Sequence, residues 1–283
     1  MNFYYTFIIQ GKFMHITSNK KANFNILKFF TIEKFITIIT IAAILFIWYI
    51  VTKLQLLPQS ILPSPYDVIL GFKEVILQGY KGNTIYRHFG DSMVRLLSAF
   101  ALAVLSAIPV GLLSGYSSKI KAVFEPIVNF FRPLPPLAYY ALLIMWLGIG
   151  NSSKIMLLYL AAFPPIYISC VSGVKGIRED YINGAYTLGA SRIQTFFHVI
   201  LPTSLPSIFT GLRTSLGFAY TTLVAAEMVA AVSGIGWMVL DASKFLRSDI
   251  IFVGIIIMGV TGILLDRILK IIEINFIPWE GKE

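Results

Sequence analysis

The sequence predicts an all-α membrane protein with about six transmembrane helices, and three observations lead there. Of 283 residues, 57% are hydrophobic and only 13% charged, against roughly 25% charged in ordinary soluble domains. The charges fall in clusters separated by long uncharged runs, each about the 17–25 residues that a spanning helix needs. The basic residues also concentrate in alternate connecting segments, as the positive-inside rule requires of a polytopic chain. The net charge of +9 is thereby explained by topology, and no nucleic-acid partner is expected. The single cysteine, Cys170, sits within an uncharged run, which excludes a disulfide framework or a cysteine-based metal site.

The apolar runs are read in order. Residues 35–52 lie between Lys34 and Lys53, residues 96–118 between Arg95 and Lys119, and residues 133–153 between Arg132 and Lys154. Residues 155–174 follow, closed by Lys175; a fifth span starts near Ser207, with Arg213 near its beginning and Glu227 in its middle; residues 250–265 lie between Asp249 and Asp266. Met1–Gln10 is too short to span and lacks the basic start and small-residue cleavage site of a signal peptide. Met14, ahead of Ser18-Asn19-Lys20-Lys21, is an equal candidate for the translation start.

Six spans put both termini on one side. With that side cytoplasmic, the outer segments hold only Lys53, Lys73, Lys81, Arg87, Arg95, Lys154, Lys244 and Arg247, and the larger share of the 23 basic residues lies inside. The organisation expected is a cytoplasmic segment 1–34, a first helix 35–52, an outer segment 53–88, a core 89–274 and a cytoplasmic tail 275–283. Pro58, Pro63 and Pro65 give the outer segment an extended or turning start. The inside segment 175–206 carries its own short helices, 178–188 and 191–200, with Gly189 free to take a left-handed backbone between them. Pro202 and Pro206 are expected to limit helix continuation beyond. A segment of this length with internal helices is usually functional.

That segment reads Asn183-Gly184-Ala185-Tyr186-Thr187-Leu188-Gly189, then nine residues, then Val199-Ile200-Leu201-Pro202. It resembles the EAA loop of ABC importer permeases: Glu-Ala-Ala, three residues, Gly, nine residues, Ile-x-Leu-Pro. The spacing matches throughout, and Ala185, Gly189, Leu201 and Pro202 match in identity. Asn183, Gly184 and Val199 depart from the pattern, so the small-residue face is kept while the glutamate is lost. Further stretches resemble the nitrate/sulfonate/taurine permeases over roughly residues 45–280. They include Ile61-Leu62-Pro63-Ser64-Pro65, Arg132-Pro133-Leu134-Pro135-Pro136-Leu137-Ala138, Trp146-Leu147-Gly148-Ile149-Gly150, Leu223-Val224-Ala225-Ala226-Glu227-Met228 and Pro278-Trp279. The proline-rich and Pro-Trp stretches are most similar to the taurine and aliphatic sulfonate members.

The resemblance implies a type I importer (MetI-like) permease fold in a bacterial inner membrane. It implies a homodimer in membrane lipid, working with cytoplasmic ATP-binding subunits and a periplasmic substrate-binding protein, and performing no chemistry itself. The sequence contains no Gly-x-x-x-x-Gly-Lys-Ser/Thr phosphate loop, so ATP would be handled by a partner. Small residues at 184, 185 and 189 would let a partner backbone approach, and Leu188 would fill a pocket on it. Importers of nitrate or another small substrate remain open, as does an ion-driven secondary transporter. The latter should show inverted repeats or several intramembrane charges.

Glu227 is an intramembrane carboxylate, costly unless paired, protonated or wet. It would repel an anion, so a helix-packing or gating role is expected. Arg213 either attracts an anion near the inner mouth or snorkels from a helix start, and Arg132 with its prolines shapes the third span or gates it. His15, His88 and His198 lack partners at metal-ligand spacing, so no metal or other cofactor is expected. Gly148, Gly150, Gly234 and Gly236 read as turns at outer span ends, and Trp48, Tyr49, Trp146 and Trp279 as interface anchors.

Overall fold

The computed structural model describes residues 32–279. The alternative start at Met14, His15, most of the segment 1–34 and the last residues of the tail lie outside them.

Helix α1 covers Ile32–Lys53. After it, Ser64 caps α2 (Pro65–Leu77), with Pro65 in the first turn and a reciprocal bond to Asp67, whose amide lies 3.2 Å from Ser64 Oγ. A proline there has no amide to waste, so one of the prolines expected to mark turning backbone starts a helix instead. Helix α2 packs on α11 (Ser248–Phe276). Arg247, just ahead of α11, ties the two through Glu74 at 2.8 Å.

The centre of the chain is three long helices: α3 (Ile85–Tyr116), α6 (Asn151–Lys175) and α9 (Leu201–Ala230), with α6 packed between the other two. Ala99, Ala103 and Ala107 repeat every fourth residue on α3 and are fully buried, a small-residue stripe that lets backbones approach where lipid supplies no hydrophobic drive. Gly111 continues it. A methyl added there would meet Cys170 Cβ at 2.6 Å, and one on Gly173 of α6 would meet Ser207 Cβ at 2.8 Å.

Of three departures from the apolar-run reading, those at Arg95 and Asp266 share one cause, and the third, at Pro202 and Pro206, has another. Helix α3 begins at Ile85, eleven residues before the predicted span; α11 runs on past Asp266 to Phe276; and α9 continues from α8 (Arg192–Thr195) as one apolar helical stretch from Arg192 to Ala230. Charges end the runs in the sequence because an unpaired charge is costly in lipid. In the fold those charges are paired, and the helices pass through them. Neither Pro202 nor Pro206 stops its helix. A π turn over Phe196–Ile200, in which Leu201 N bonds back to Phe196 O, carries the chain into α9 with Pro202 in its first turn. Its missing amide therefore leaves little unsatisfied.

The predicted third span is different in kind. Residues 133–153 contain a 3-10 turn (Pro136–Tyr139), the eight-residue α5 (Tyr140–Leu147), a break at Gly148 and the start of α6. Eight residues rise about 12 Å, less than half the hydrocarbon thickness. The 3-10 turn and α5 instead pair with α4 (Ser118–Phe131) across a 94° bend, which Pro133, Pro135 and Pro136 enforce by removing donors and fixing φ. The described residues thus hold five helices long and apolar enough to span, or six counting the bent pair. Two short helices complete them, α7 (Glu179–Thr187) and α10 (Ile235–Lys244).

Gly111→Ala is expected to destabilise the bundle by about 1–3 kcal/mol through overpacking. Gly90→Ala in the same helix, where nothing lies within 4 Å, should leave stability equal or slightly higher. Denaturant unfolding of both variants in detergent checks this.

Candidate functional site: a docking groove and a buried polar lock at opposite ends

The three long helices give the molecule two ends. At one, α3 and α6 finish, α4 starts, and the chain passes through α7 and α8 into α9. At the other, α3 and α6 begin and α9 gives way to α10.

At the first end, α7 starts with Glu179 and Asp180 in its first turn, complementing the helix dipole. It finishes in a Schellman turn: Gly189 N donates to Tyr186 O at 2.9 Å and Ala190 N to Ala185 O at 3.0 Å. Gly189 sits at φ +84°, where a side chain is strained and glycine is not. Ser191 then opens α8 with a capping box: its amide donates to Gln194 Oε1 at 2.8 Å, and its hydroxyl accepts from Gln194 N at 3.3 Å. The turn projects Leu188 outward until it is 90% exposed, a large apolar side chain with no contact to justify it in an isolated chain. Behind it lies a groove of about 830 Å³, lined by Gly184, Ala185, Leu188, Pro202, Tyr181 and Trp279 among others. A methyl at Gly184 or Gly189 would meet nothing within 4 Å, so their small size leaves open space on the outside of the protein. The structure brings Gly184, Ala185, Leu188 and Pro202 to one concave face and adds Trp279. Asn183 accepts a bond from the Thr187 hydroxyl through its carbonyl (2.9 Å); Leu201 joins the packed bundle.

At the opposite end, Glu227 lies in the last turn of α9, not at mid-span, because α9 ends at Ala230. It is 1% exposed and fully engaged. Arg95 Nη1 donates to its Oε1 at 2.7 Å, Ser92 Oγ donates at 2.8 Å, and Gly236 N donates to Oε2 at 2.9 Å. Arg95 also donates through Nε to Asn151 Oδ1 at 2.8 Å and through Nη1 to Ser233 O at 2.9 Å. His88 closes the ring: its Nδ1 accepts from Gly234 N at 3.2 Å, which leaves Nε2 to donate to Tyr80 O at 3.2 Å. The Lys154 ammonium, also buried, donates to the carbonyls of Ile149 (2.8 Å) and Gly150 (3.1 Å). Gly234 is therefore more than a turn: at φ +123° any side chain is strained, and a methyl would collide with the Glu227 carboxylate.

Read as flanking charges in the sequence, Arg95 and Lys154 turn out to be parts of this lock. A signal is present: His88, Ser92 and Arg95 stand at i, i+4, i+7, one face of a helix, and the same face continues into the buried Ala99 stripe. Arg213, the other charge within the fifth span, is also paired. Its Nε and Nη2 form a fork onto Asp266 at 3.0 and 3.2 Å, and Glu273 lies 3.6 Å from Nη1, joining α9 to α11. Among the described residues no group of three or more His, Cys, Asp or Glu side chains is placed to hold a metal.

These features define a class: a multi-span helical membrane protein with an exposed groove at one end and a buried, fully bonded polar cluster at the other. Residues 107–276 match the family described as the binding-protein-dependent transport system inner membrane component. The chain is 41% identical over 244 residues to the taurine transport system permease protein TauC of Escherichia coli, covering 86% of this chain and 89% of that one. It is 35% identical over 240 residues to the putative aliphatic sulfonates transport permease protein SsuC of Bacillus subtilis (85% and 86% covered). It is 31% identical over 249 residues to the nitrate import permease protein NrtB of Synechocystis (86% and 90% covered). A structure of the inward-facing MetNI methionine ABC transporter shares the fold, with TM-score 0.51 at 19% identity, covering 64% of this chain and 92% of that one. The chain belongs to the binding-protein-dependent permease family: it is a multi-pass inner-membrane permease subunit of an ABC importer.

Replacing Arg95 with Met alone should destabilise the protein by about 3–5 kcal/mol, because Glu227 is left buried without its cation. The double variant Arg95→Met, Glu227→Leu should recover much of that loss. Unfolding of the four members of this cycle in detergent measures both.

Proposed function

We propose that this chain is one of two identical permease copies in an importer of taurine or a related aliphatic sulfonate, driven by ATP hydrolysis in partner subunits. Its termini are cytoplasmic, so the groove behind Leu188 faces the ATP-binding subunits, and the Arg95–Glu227 end faces a periplasmic substrate-binding protein. The observation that carries this reading is the exposed Leu188 knob held by the Gly189 turn over a groove of small residues. A short helix presented this way fits a cleft on a partner and transmits rigid-body motion when that partner closes. The substrate class rests on the taurine and sulfonate relatives. The cycle follows from alternating access: ATP binding closes the partners, the α7–α8 segments move, and the packed α3–α6–α9 units of the two copies rock between inward- and outward-open states.

ATP-driven taurine uptake into vesicles bearing the full complex tests this. Leu188→Asp should abolish uptake and release the ATP-binding subunits, because it puts a charge into an apolar cleft. Gly189→Val should cut uptake about tenfold or more by straining the turn that aims Leu188. Normal uptake and normal subunit association in both variants would refute the coupling role.

A further inference from the structure

Where α4 bends away, a cavity of about 470 Å³ opens between Arg132, the proline turn that follows it, the middle of α6 and the middle of α9. Leu160, Ala161, Pro164, Pro165 and Ser169 of α6 and Thr214 of α9 are among its lining residues. Asn151–Lys175 is long and apolar enough to span, so Leu160 to Ser169 place the cavity well inside the membrane-spanning layer, about 14 Å from the start of α6 and about 9 Å from its end at 1.5 Å per residue.

Two features there lack a structural explanation. Arg132, an exposed residue, lines this cavity, and among the described residues its guanidinium makes no hydrogen bond or ion pair. The other arginines within the bundle, Arg95 and Arg213, are both bound to carboxylates. An unneutralised guanidinium on an intramembrane cavity marks a functional site by default. Secondly, α6 carries Pro164 and Pro165 in tandem. Neither has an amide hydrogen, so the carbonyls of Leu160 and Ala161, four residues back, lose the donors that a helix supplies. Both residues line the same cavity. One wall thus offers a permanent cation and another offers carbonyl acceptors without their helical partners. Ser169, which also lines the cavity, makes no hydrogen bond through its hydroxyl to another described residue.

We propose that this cavity is a substrate subsite within the permease for a small zwitterion. Its anionic group seats on Arg132, and its ammonium group on the carbonyl oxygens of Leu160 and Ala161. Pro133, Pro135 and Pro136 stiffen the turn after Arg132 and so fix where the guanidinium stands. A planar guanidinium forks onto two oxygens of a sulfonate or carboxylate, and an ammonium donates to carbonyls as it does at the ends of helices. The subsite rests on the taurine and sulfonate reading above and deepens it: an amino-sulfonate satisfies both walls, a plain sulfonate only one.

The test is equilibrium binding of radiolabelled taurine to the detergent-purified complex of permease and ATP-binding subunits, without the substrate-binding protein. Saturable binding is expected, weakened about tenfold or more in Arg132→Gln and less in Arg132→Lys, since a charged hydrogen-bonded contact is lost. Pro165→Ala restores a donor for the Ala161 carbonyl. It should weaken taurine several-fold while leaving competition by ethanesulfonate, which has no amine, unchanged. Co-purification of the ATP-binding subunits should be unaltered, and Pro164→Ala makes the same test where Pro165→Ala does not assemble. Absence of saturable binding to the wild-type complex, wild-type affinity in Arg132→Gln, or displacement by phosphatidylethanolamine micelles with no saturation by free taurine would overturn the subsite. ATP-driven uptake separates the two readings: uptake without binding removes the subsite alone, whereas binding without uptake removes the transport reading and leaves the subsite standing.

Discussion

Every charge carried into this bundle must find a partner or water, and the Arg95–Glu227 pair is where that constraint bears hardest. The two side chains are nearly inaccessible and bonded at 2.7 Å. A buried pair of this kind adds little net stability over apolar residues of the same shape, yet it is severely punished when half is removed. Its effect is on geometry. Glu227 receives donors from α3, Arg95 reaches Asn151 at the start of α6, and Gly236 N fixes the start of α10. One carboxylate thereby sets the relative position of the three central helices and of α10 at one end of the molecule.

From that locked end the helices run as a unit to the other. Glycine and alanine on α3, α6 and α9 bring the backbones too close for independent sliding, as the Gly111–Cys170 and Gly173–Ser207 approaches illustrate. The Arg213–Asp266 fork adds α11 to the unit. Under the coupling proposed above, a force applied at Leu188 would be carried as rigid-body movement through these packed helices. At the bend between α4 and α5, prolines replace the hydrogen-bond ladder beside the Arg132 cavity.

Much of this is legible in the sequence, and the errors have a physical pattern. The apolar runs locate each long helix, and the register of residues 183–202 locates the segment that forms the exposed groove, including the left-handed backbone at Gly189. Helix ends are misplaced at Arg95 and Asp266, where a charge serves as a boundary but is paired across helices, because such pairing is invisible to a one-dimensional reading. Residues 133–153 resemble a span in length and hydropathy, although Pro135 and Pro136 signal a break that composition outweighs. The opposite error arises at Pro202 and Pro206, where proline near a helix start reads as a stop. Glu227 stands out for its cost in lipid. Its partner does not, since Arg95 lies 132 residues earlier and only the fold brings them together.

The proposed polarity, with docking at Leu188 and the lock at the far end, is tested most directly by site-specific cross-linking in the intact complex. Cys170 is replaced by Ala, and a single cysteine is placed at Leu188 or at Phe245, both exposed and at opposite ends. The account predicts efficient cross-linking to the ATP-binding subunit from position 188 and none from 245; cross-linking from 245, or its absence from 188, would contradict it.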